Sequence, residues 1–107
     1  MGRYRMDYDW LWGKCRDTAT VRLRVTGEAA RGAVDAFLAA LPADDAGVRG
    51  RGGWAVRRTL SAPGVVELEI ISGGQDVADG IFYGTDAAYE ALKPFEVALS
   101  WENLEGR

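Results

Sequence analysis

The order of strand-like and helix-like patterns predicts an α+β fold, a ferredoxin-like βαββαβ sandwich with an extra N-terminal strand. From residue 18 onward the patterns read strand, helix, strand, strand, helix, strand. The chain has 107 residues, of which 48% are hydrophobic, and both values are typical of one globular domain. We therefore expect a single domain over 1–107, with an extra strand and turn at 1–17 and a βαββαβ core at 18–107. In this fold the antiparallel sheet carries both helices on one face.

The extra strand is predicted by an unbroken alternation over residues 4–12. Its apolar and mostly aromatic face consists of Tyr4, Met6, Tyr8, Trp10 and Trp12. Residues 13–17 have the composition of a turn. The first core strand already has two neighbours in this fold. The extra strand therefore pairs either at an outer edge or in a hairpin with the next strand, where it displaces the last one. The sequence leaves both placements open.

Alternation returns at 18–26, where the apolar face consists of Ala19, Val21, Leu23 and Val25. A helix is predicted over 28–41, because apolar residues recur there at spacings of three and four. Thr26 is the predicted N-cap of this helix. Pro42 ends it, because proline disfavours a helical conformation in the preceding residue.

Two further strands are predicted at 54–61 and 65–72, after a Gly-rich loop at 42–53. Only three residues, Ala62-Pro63-Gly64, separate them, so we expect a hairpin. One face of the first of these strands consists of Trp54, Val56 and Leu60.

Residues 73–84 are predicted to be irregular, because four glycines and two aspartates interrupt any periodicity there. Thr85 is the predicted N-cap of a second helix at about 86–93, which stops before Pro94. A final strand is predicted at 95–102, where apolar and polar residues alternate.

The charges provide a test of the strand order. Residues 1–58 carry a net charge of +4 and residues 59–107 one of −7. A ferredoxin-like sheet places its four core strands in the order 4-1-3-2, which alternates acidic and basic strands across the open face. In that order, the fourth core strand carries Glu96 and Glu102, and the first carries Arg22 and Arg24. The third carries Glu67 and Glu69, and the second carries Arg57. We expect these opposite charges to pair across the sheet and to stabilise its register.

Composition excludes several chemistries. The chain has no histidine, so it cannot use Ser-His-Asp or Cys-His catalysis. Cys15 is the single cysteine, so neither an intramolecular disulfide nor the usual Cys/His zinc site can form. We therefore predict no enzymatic activity, no cofactor and no metal. The lone thiol, the absence of an apolar run of membrane-spanning length and the absence of a signal-peptide pattern predict a cytoplasmic protein that does not bind membranes.

Two apolar segments are candidate partner-binding sites. The aromatic face of residues 4–12 either packs in the core, forms an exposed platform for a partner, or is buried only in a homodimer. Within 73–84, the apolar residues either fill the core or contact a partner or ligand. That segment lacks the lysine of a P-loop and the spacing of a calcium loop. The candidate residues are Tyr4, Tyr8, Trp10, Trp12, Ile81, Phe82 and Tyr83.

Basic residues form a weaker candidate for contact with nucleic acid or another anion. They are Arg22, Arg24, Arg49, Arg51 and Arg57. The acidic residues expected on the same sheet face would repel phosphate, and the aromatic strand motif of RNA-recognition folds is absent.

The sequence therefore favours a small non-enzymatic interaction module, such as an accessory, inhibitor or immunity-type protein that binds a protein partner or another copy of itself. A small-ligand regulatory domain and a nucleic-acid binder are the alternatives.

Overall fold

The computed structural model describes residues 2–12, 18–43, 48–73 and 76–104. The helices of this part of the chain are α1 (Tyr8–Trp12), α2 (Ala30–Ala39) and α3 (Val77–Leu92). Its strands are β1 (Thr18–Thr26), β2 (Arg49–Arg51), β3 (Trp54–Ala62), β4 (Val65–Gly73) and β5 (Ala98–Leu104). The predicted turn at 13–17, which includes Cys15, lies outside the described residues.

The five strands form one antiparallel sheet in the order β2-β3-β4-β1-β5. The predicted α+β class with an antiparallel sheet is therefore confirmed. The short strand β2 lies within the segment predicted as a loop and pairs with the start of β3. Gly53, with φ +89°, supplies the left-handed conformation that the tight turn between these two strands requires.

The core lies between one face of the sheet and the helices. Alternate residues of β1 point to this face, and Leu23 and Val25 are completely buried there. They pack in one cluster with Phe37 of α2 and with Ala88 and Leu92 of α3, so both helices cover the same face, as predicted. The opposite face of the sheet is open and carries the charged positions of the strands.

The strand predicted over 4–12 is wrong, because residues 8–12 form the helix α1. Asp7 begins this helix: its carboxylate accepts a hydrogen bond from the Trp10 N–H at 3.0 Å. This is how an N-cap satisfies the free N–H groups of a first helical turn. In a segment this short, alternating apolar and polar residues fit a strand. They also fit a single helical turn, because successive residues of a helix point in different directions as well.

Helix α3 begins eight residues before the predicted Thr85 cap, at Val77, so most of the segment predicted as irregular is helical. Asp76 is the actual N-cap, and its carboxylate accepts a hydrogen bond from the Asp79 N–H at 3.0 Å. Thr85 lies inside the helix, where its hydroxyl donates to the Ile81 carbonyl oxygen at 2.7 Å. The Thr26 cap is also wrong, since Thr26 belongs to β1 and Ala29 occupies the N-cap of α2.

Two glycines of α3 explain why the first half of this helix was predicted to be irregular. A Cβ atom at Gly80 would lie 2.5 Å from the Gly53 carbonyl oxygen and would also overlap Ser72. A Cβ atom at Gly84 would lie 2.8 Å from Ile70. These two glycines are four residues apart, so they lie on the same face of the helix. They allow α3 to approach the sheet closely, although the same residue type usually indicates a loop.

Strand β3 contains an irregularity between Arg58 and Leu60 that reverses which face the later residues occupy. Trp54 and Val56 are buried as predicted, but Leu60 is 41% exposed. Leu60 lies opposite Glu67 on the open face of the sheet. The predicted inner position of Leu60 is therefore wrong, and the extra residue of the bulge is the reason.

Candidate functional site

Residues before α1 are attached to the rest of the molecule at several points. The Trp101 indole N–H donates to the Gly2 carbonyl oxygen at 2.9 Å. The Tyr4 hydroxyl donates to Asn103 Oδ1 at 2.5 Å, and its ring meets Trp101 edge to face with centroids 5.6 Å apart. The Arg3 guanidinium lies over Tyr89 of α3, 4.5 Å from its ring centroid. These contacts hold the N-terminal segment, and with it α1, against β5 and α3.

Tyr4 makes this attachment sensitive to alkaline pH. Burial, and then the negative charge of Asp7, raise the pKa of Tyr4 to about 12 from the usual 10.0. Because the folded state favours the neutral phenol, its contribution to stability is complete below pH 10 and is lost as the pH rises towards 12. We expect Tyr4→Phe to show a smaller fall in unfolding free energy than wild type over this range.

Urea unfolding at intervals from pH 8 to pH 12 measures this difference as a change of midpoint. Equal pH dependence in the two proteins would contradict the prediction.

The predicted aromatic face divides into two halves. Tyr4 and Trp10 are 9% exposed and pack in a cluster with Ala19, Val21 and Ile81. Tyr8 is 49% exposed and Trp12 is 63% exposed. Their rings lie on the other side of α1, with centroids 4.8 Å apart. The core interpretation therefore applies to Tyr4 and Trp10, which are unavailable to a partner, and only Tyr8 and Trp12 remain candidates.

The second candidate segment divides in the same way. Ile81 is completely buried, so it is a core residue and cannot contact a partner. Phe82 is 46% exposed and Tyr83 58% exposed, so the core-filling alternative does not apply to these two residues. Their ring centroids are 5.3 Å apart. Because α3 is a helix, these adjacent residues are held on its outer side by the burial of Ile81.

Both aromatic pairs lie on helices that contact each other, since Trp10 and Leu11 of α1 pack in the same cluster as Ile81 of α3. We call Tyr8, Trp12, Phe82 and Tyr83 the exposed aromatic set. Carboxylates accompany it along both helices: Asp7 and Asp9 flank Tyr8, and Asp79 lies one turn before Phe82 and Tyr83. The charge of Asp76 raises the pKa of the Asp79 carboxyl, as expected for neighbouring acids.

The basic residues predicted on the open sheet face pair with acids, as the sequence predicted. Arg57, Glu69, Arg22 and Glu102 face one another in register across four strands, and we call them the charged row. Arg57 Nη2 lies 2.5 Å from Glu69 Oε1, and Arg22 Nη1 lies 3.1 Å from Glu102 Oε1. In the next row Arg24 Nε donates to Glu67 Oε2 at 2.8 Å. Glu96, which was expected in this pattern, lies before β5.

The loop arginines lie at the other edge of the sheet. Arg49 donates to the Leu41 carbonyl oxygen at 3.0 Å, and Arg51 is exposed on the same short strand, β2. Arg58, a neighbouring basic residue, pairs with Asp35 of α2 at 2.5 Å. A depression of about 450 Å³ lies here, lined partly by Arg49, Arg57 and Arg58. All three of these cations already contact an oxygen of this chain.

Metal binding and membrane insertion are two further possibilities. Within the described ranges, no group of three or more Asp, Glu or Cys side chains is placed to hold a metal ion. Among those same residues, no helix is both long and apolar enough to cross a membrane.

Comparisons with protein-family models, curated proteins and solved structures gave no significant match to this chain. Support for the candidate site therefore comes from the exposure and packing of its own residues.

Two sequence signals could have located this site. Asp7 is a favoured N-cap residue, and Tyr8 and Trp12 have the four-residue spacing of a helical pair. Asp76, before a segment whose glycines are four residues apart, is the corresponding signal for α3. Alone, the first signal does not outweigh the alternation that favours a strand over 4–12. The second does not outweigh the glycine content that favours a loop over 73–84.

Proposed function

We propose that this protein is a non-enzymatic interaction module that binds a partner protein through the exposed aromatic set. The observation that carries the proposal is the exposure of four large aromatic side chains on two adjacent helices. Tyrosine and tryptophan are enriched where interfaces contribute most binding energy, because they bury a large area with few rotatable bonds. On the two helices the exposed rings of each pair lie with centroids 4.8 Å and 5.3 Å apart, whereas exposed apolar residues that carry no binding role are usually scattered singly.

The attachment of the two helices supports the proposal. Trp10 and Leu11 anchor α1 in the core, and Ile81 anchors α3 at the same place. The exposed rings are therefore presented by residues whose backbone is already ordered, so binding requires little further loss of conformational entropy. The aromatic rings also pair with each other on each helix, which restricts their rotation before a partner arrives.

The ferredoxin-like architecture is part of the same proposal. It is supported by the neighbours of the four long strands, which follow one another as β5, β1, β4 and β3, and by the shared helix face of the sheet. The additions to that plan are the short strand β2 and the helix α1. Since folds of this type serve many functions, the architecture adds no weight to a particular partner.

Nucleic-acid binding is the weaker alternative. Arg22, Arg24 and Arg57 already contact carboxylates on the open face, and a phosphate would have to displace those contacts.

The binding proposal predicts that Trp12→Ala combined with Tyr83→Ala removes partner binding while the protein remains folded. Each side chain is more than half exposed, so truncation creates no cavity, and unfolding free energy is expected to change by less than about 0.5 kcal/mol. Loss of two large aromatic contacts is expected to weaken binding by about 30-fold or more. The measurement is affinity capture from host-cell extract with wild-type and variant baits, followed by titration of the captured protein.

Phe95→Ala is the matched control, because Phe95 is a 39% exposed aromatic residue beyond the C-terminal end of α3. This variant is expected to capture the same protein as wild type. Trp10→Ala is expected to lower stability instead, because Trp10 is buried. Equal capture by the wild type and the Trp12/Tyr83 double variant would refute the proposal.

A further inference from the structure

The two edges of the sheet differ in how well they are protected from pairing with another strand. At one edge, β2 has only three residues, two of which are arginines. At the other edge, β5 has seven residues with the sequence ALSWENL, with neither proline nor glycine and with a single charged side chain, Glu102. Short length and charge are the usual devices that block edge pairing. β5 uses them much less than β2 does.

Within the described part of the chain, strand β5 is paired on one side only. Its residues pair with β1 from Ala98 to Leu104, and among the described residues no other strand lies beyond it. The N-terminal segment contacts β5 through the side chains of Trp101 and Asn103. No backbone hydrogen bond joins residues 2–12 to β5. The outer row of N–H and C=O groups of β5 therefore has the geometry that accepts an additional strand.

We propose that this edge pairs with the same edge of a second copy of the chain, forming a two-fold antiparallel contact that joins two five-stranded sheets. Trp101 is the middle residue of β5, so pairing centred on it uses all seven residues of both strands. In that register Ser100 lies opposite the partner's Glu102, Ala98 opposite Leu104, and Leu99 opposite Asn103. Glu102 does not face itself, so the identical strands meet without like-charge repulsion.

The open face adds charge complementarity. Ser100 is exposed and lies in register with Arg24 of the same sheet. Arg24 is 56% exposed in its side chain. In the proposed pairing the small serine is the only residue between Arg24 and the partner's Glu102. Two-fold symmetry creates this arrangement twice. Arg24 already pairs with Glu67, and Glu102 with Arg22, so the contact between copies extends these pairs into one row of alternating charges without breaking them. The second copy is therefore the occupant that the charges favour, because each copy supplies both the cation and the carboxylate.

Substitutions at Ser100 test the register, because their effects within the chain and between chains have opposite signs. Ser100→Glu faces Arg24 in its own chain, which is favourable, and Glu102 of the partner, which is unfavourable. Ser100→Lys reverses both effects. We expect Ser100→Glu to weaken dimerisation by about tenfold and Ser100→Lys to strengthen it several-fold, with stability of the monomer changing in the opposite direction.

Sedimentation equilibrium over roughly 1 µM to 1 mM measures the dimer, which we expect to be weak because a single strand pair buries less than a standard interface. Hydrogen exchange should show β5 amides that become protected as concentration rises. Arg51→Glu, at the other edge, is the control and should leave dimerisation unchanged.

A strictly monomeric wild type would overturn the proposal, as would equal dimerisation of the Ser100→Glu and Ser100→Lys variants. Loss of the dimer in Trp12→Ala would also overturn it, because self-association would then use the exposed aromatic set. The β5 proposal and the partner-binding proposal use different surfaces, so either can fail without the other.

Discussion

Replacing Gly80 with alanine is expected to lower the free energy of unfolding by about 2–3 kcal/mol. The added Cβ would lie 2.5 Å from the Gly53 carbonyl oxygen, a backbone atom that cannot rotate away, and would also overlap Ser72. Ser72 is itself completely buried and donates a hydrogen bond to the Val77 carbonyl oxygen at 2.8 Å. The helix must therefore move away from the sheet, and the loss exceeds the gain in helix propensity that alanine brings.

Gly32→Ala is the matched control, because Gly32 lies in α2 and a Cβ atom added to it would meet nothing within 4 Å. There only helix propensity changes, so stability is expected to rise by about 0.5–1 kcal/mol. Urea denaturation followed by circular dichroism measures both variants. If Gly80→Ala proves as stable as wild type, the close approach of α3 to the sheet is not tightly constrained.

Glu69→Ala is expected to lower the free energy of unfolding by about 2–3 kcal/mol. The Glu69 side chain is only 4% exposed, although it lies on the open sheet face, and it accepts a hydrogen bond from Arg57. It also stands in register between Arg57 and Arg22. Removing the carboxylate leaves two facing cations without the charge between them. The loss is moderate because Arg57 is 53% exposed and can regain water.

Glu102→Ala removes a carboxylate from the other end of the charged row, where the side chain is 61% exposed. An exposed ion pair contributes little, so we expect a loss below about 0.5 kcal/mol. Glu67, at 13% exposure, should give an intermediate value with the same substitution. Urea unfolding at pH 7 compares the three variants. Equal losses of unfolding free energy in Glu69→Ala and Glu102→Ala would contradict the expectation that burial sets how much each carboxylate stabilises the sheet.

Much of the sheet could be predicted from the sequence. Alternation located β1 and β4 closely, because both strands are regular and have one apolar face. The charge pattern also predicted the pairing of Arg24 with Glu67 and of Arg57 with Glu69, because opposite charges on one face of a sheet favour adjacent strands. Part of the difference in net charge between the two halves of the chain is thus a sheet-pairing feature.

Helix α1 and the first half of α3, which carry the exposed aromatic set, were not predicted from the sequence. The glycines of α3 have two opposite meanings, a flexible loop or a close helix contact, and only the positions of Ser72 and Ile70 distinguish them. In the same way, alternation over 4–12 fits a strand, and only the cap at Asp7 and the burial of Trp10 reveal a helical turn.

By itself, therefore, the sequence determined the elements whose pattern extends over a regular strand, together with the exclusion of histidine-dependent chemistry. Tertiary structure decided which aromatic side chains are buried and which remain in water. The physical reason is that Trp10 and Trp12 have the same chemistry and lie two positions apart, so local preference assigns them the same surroundings. Their separation depends on where Ile81 and Ala19 lie in space, which is a long-range property of packing that no local pattern encodes.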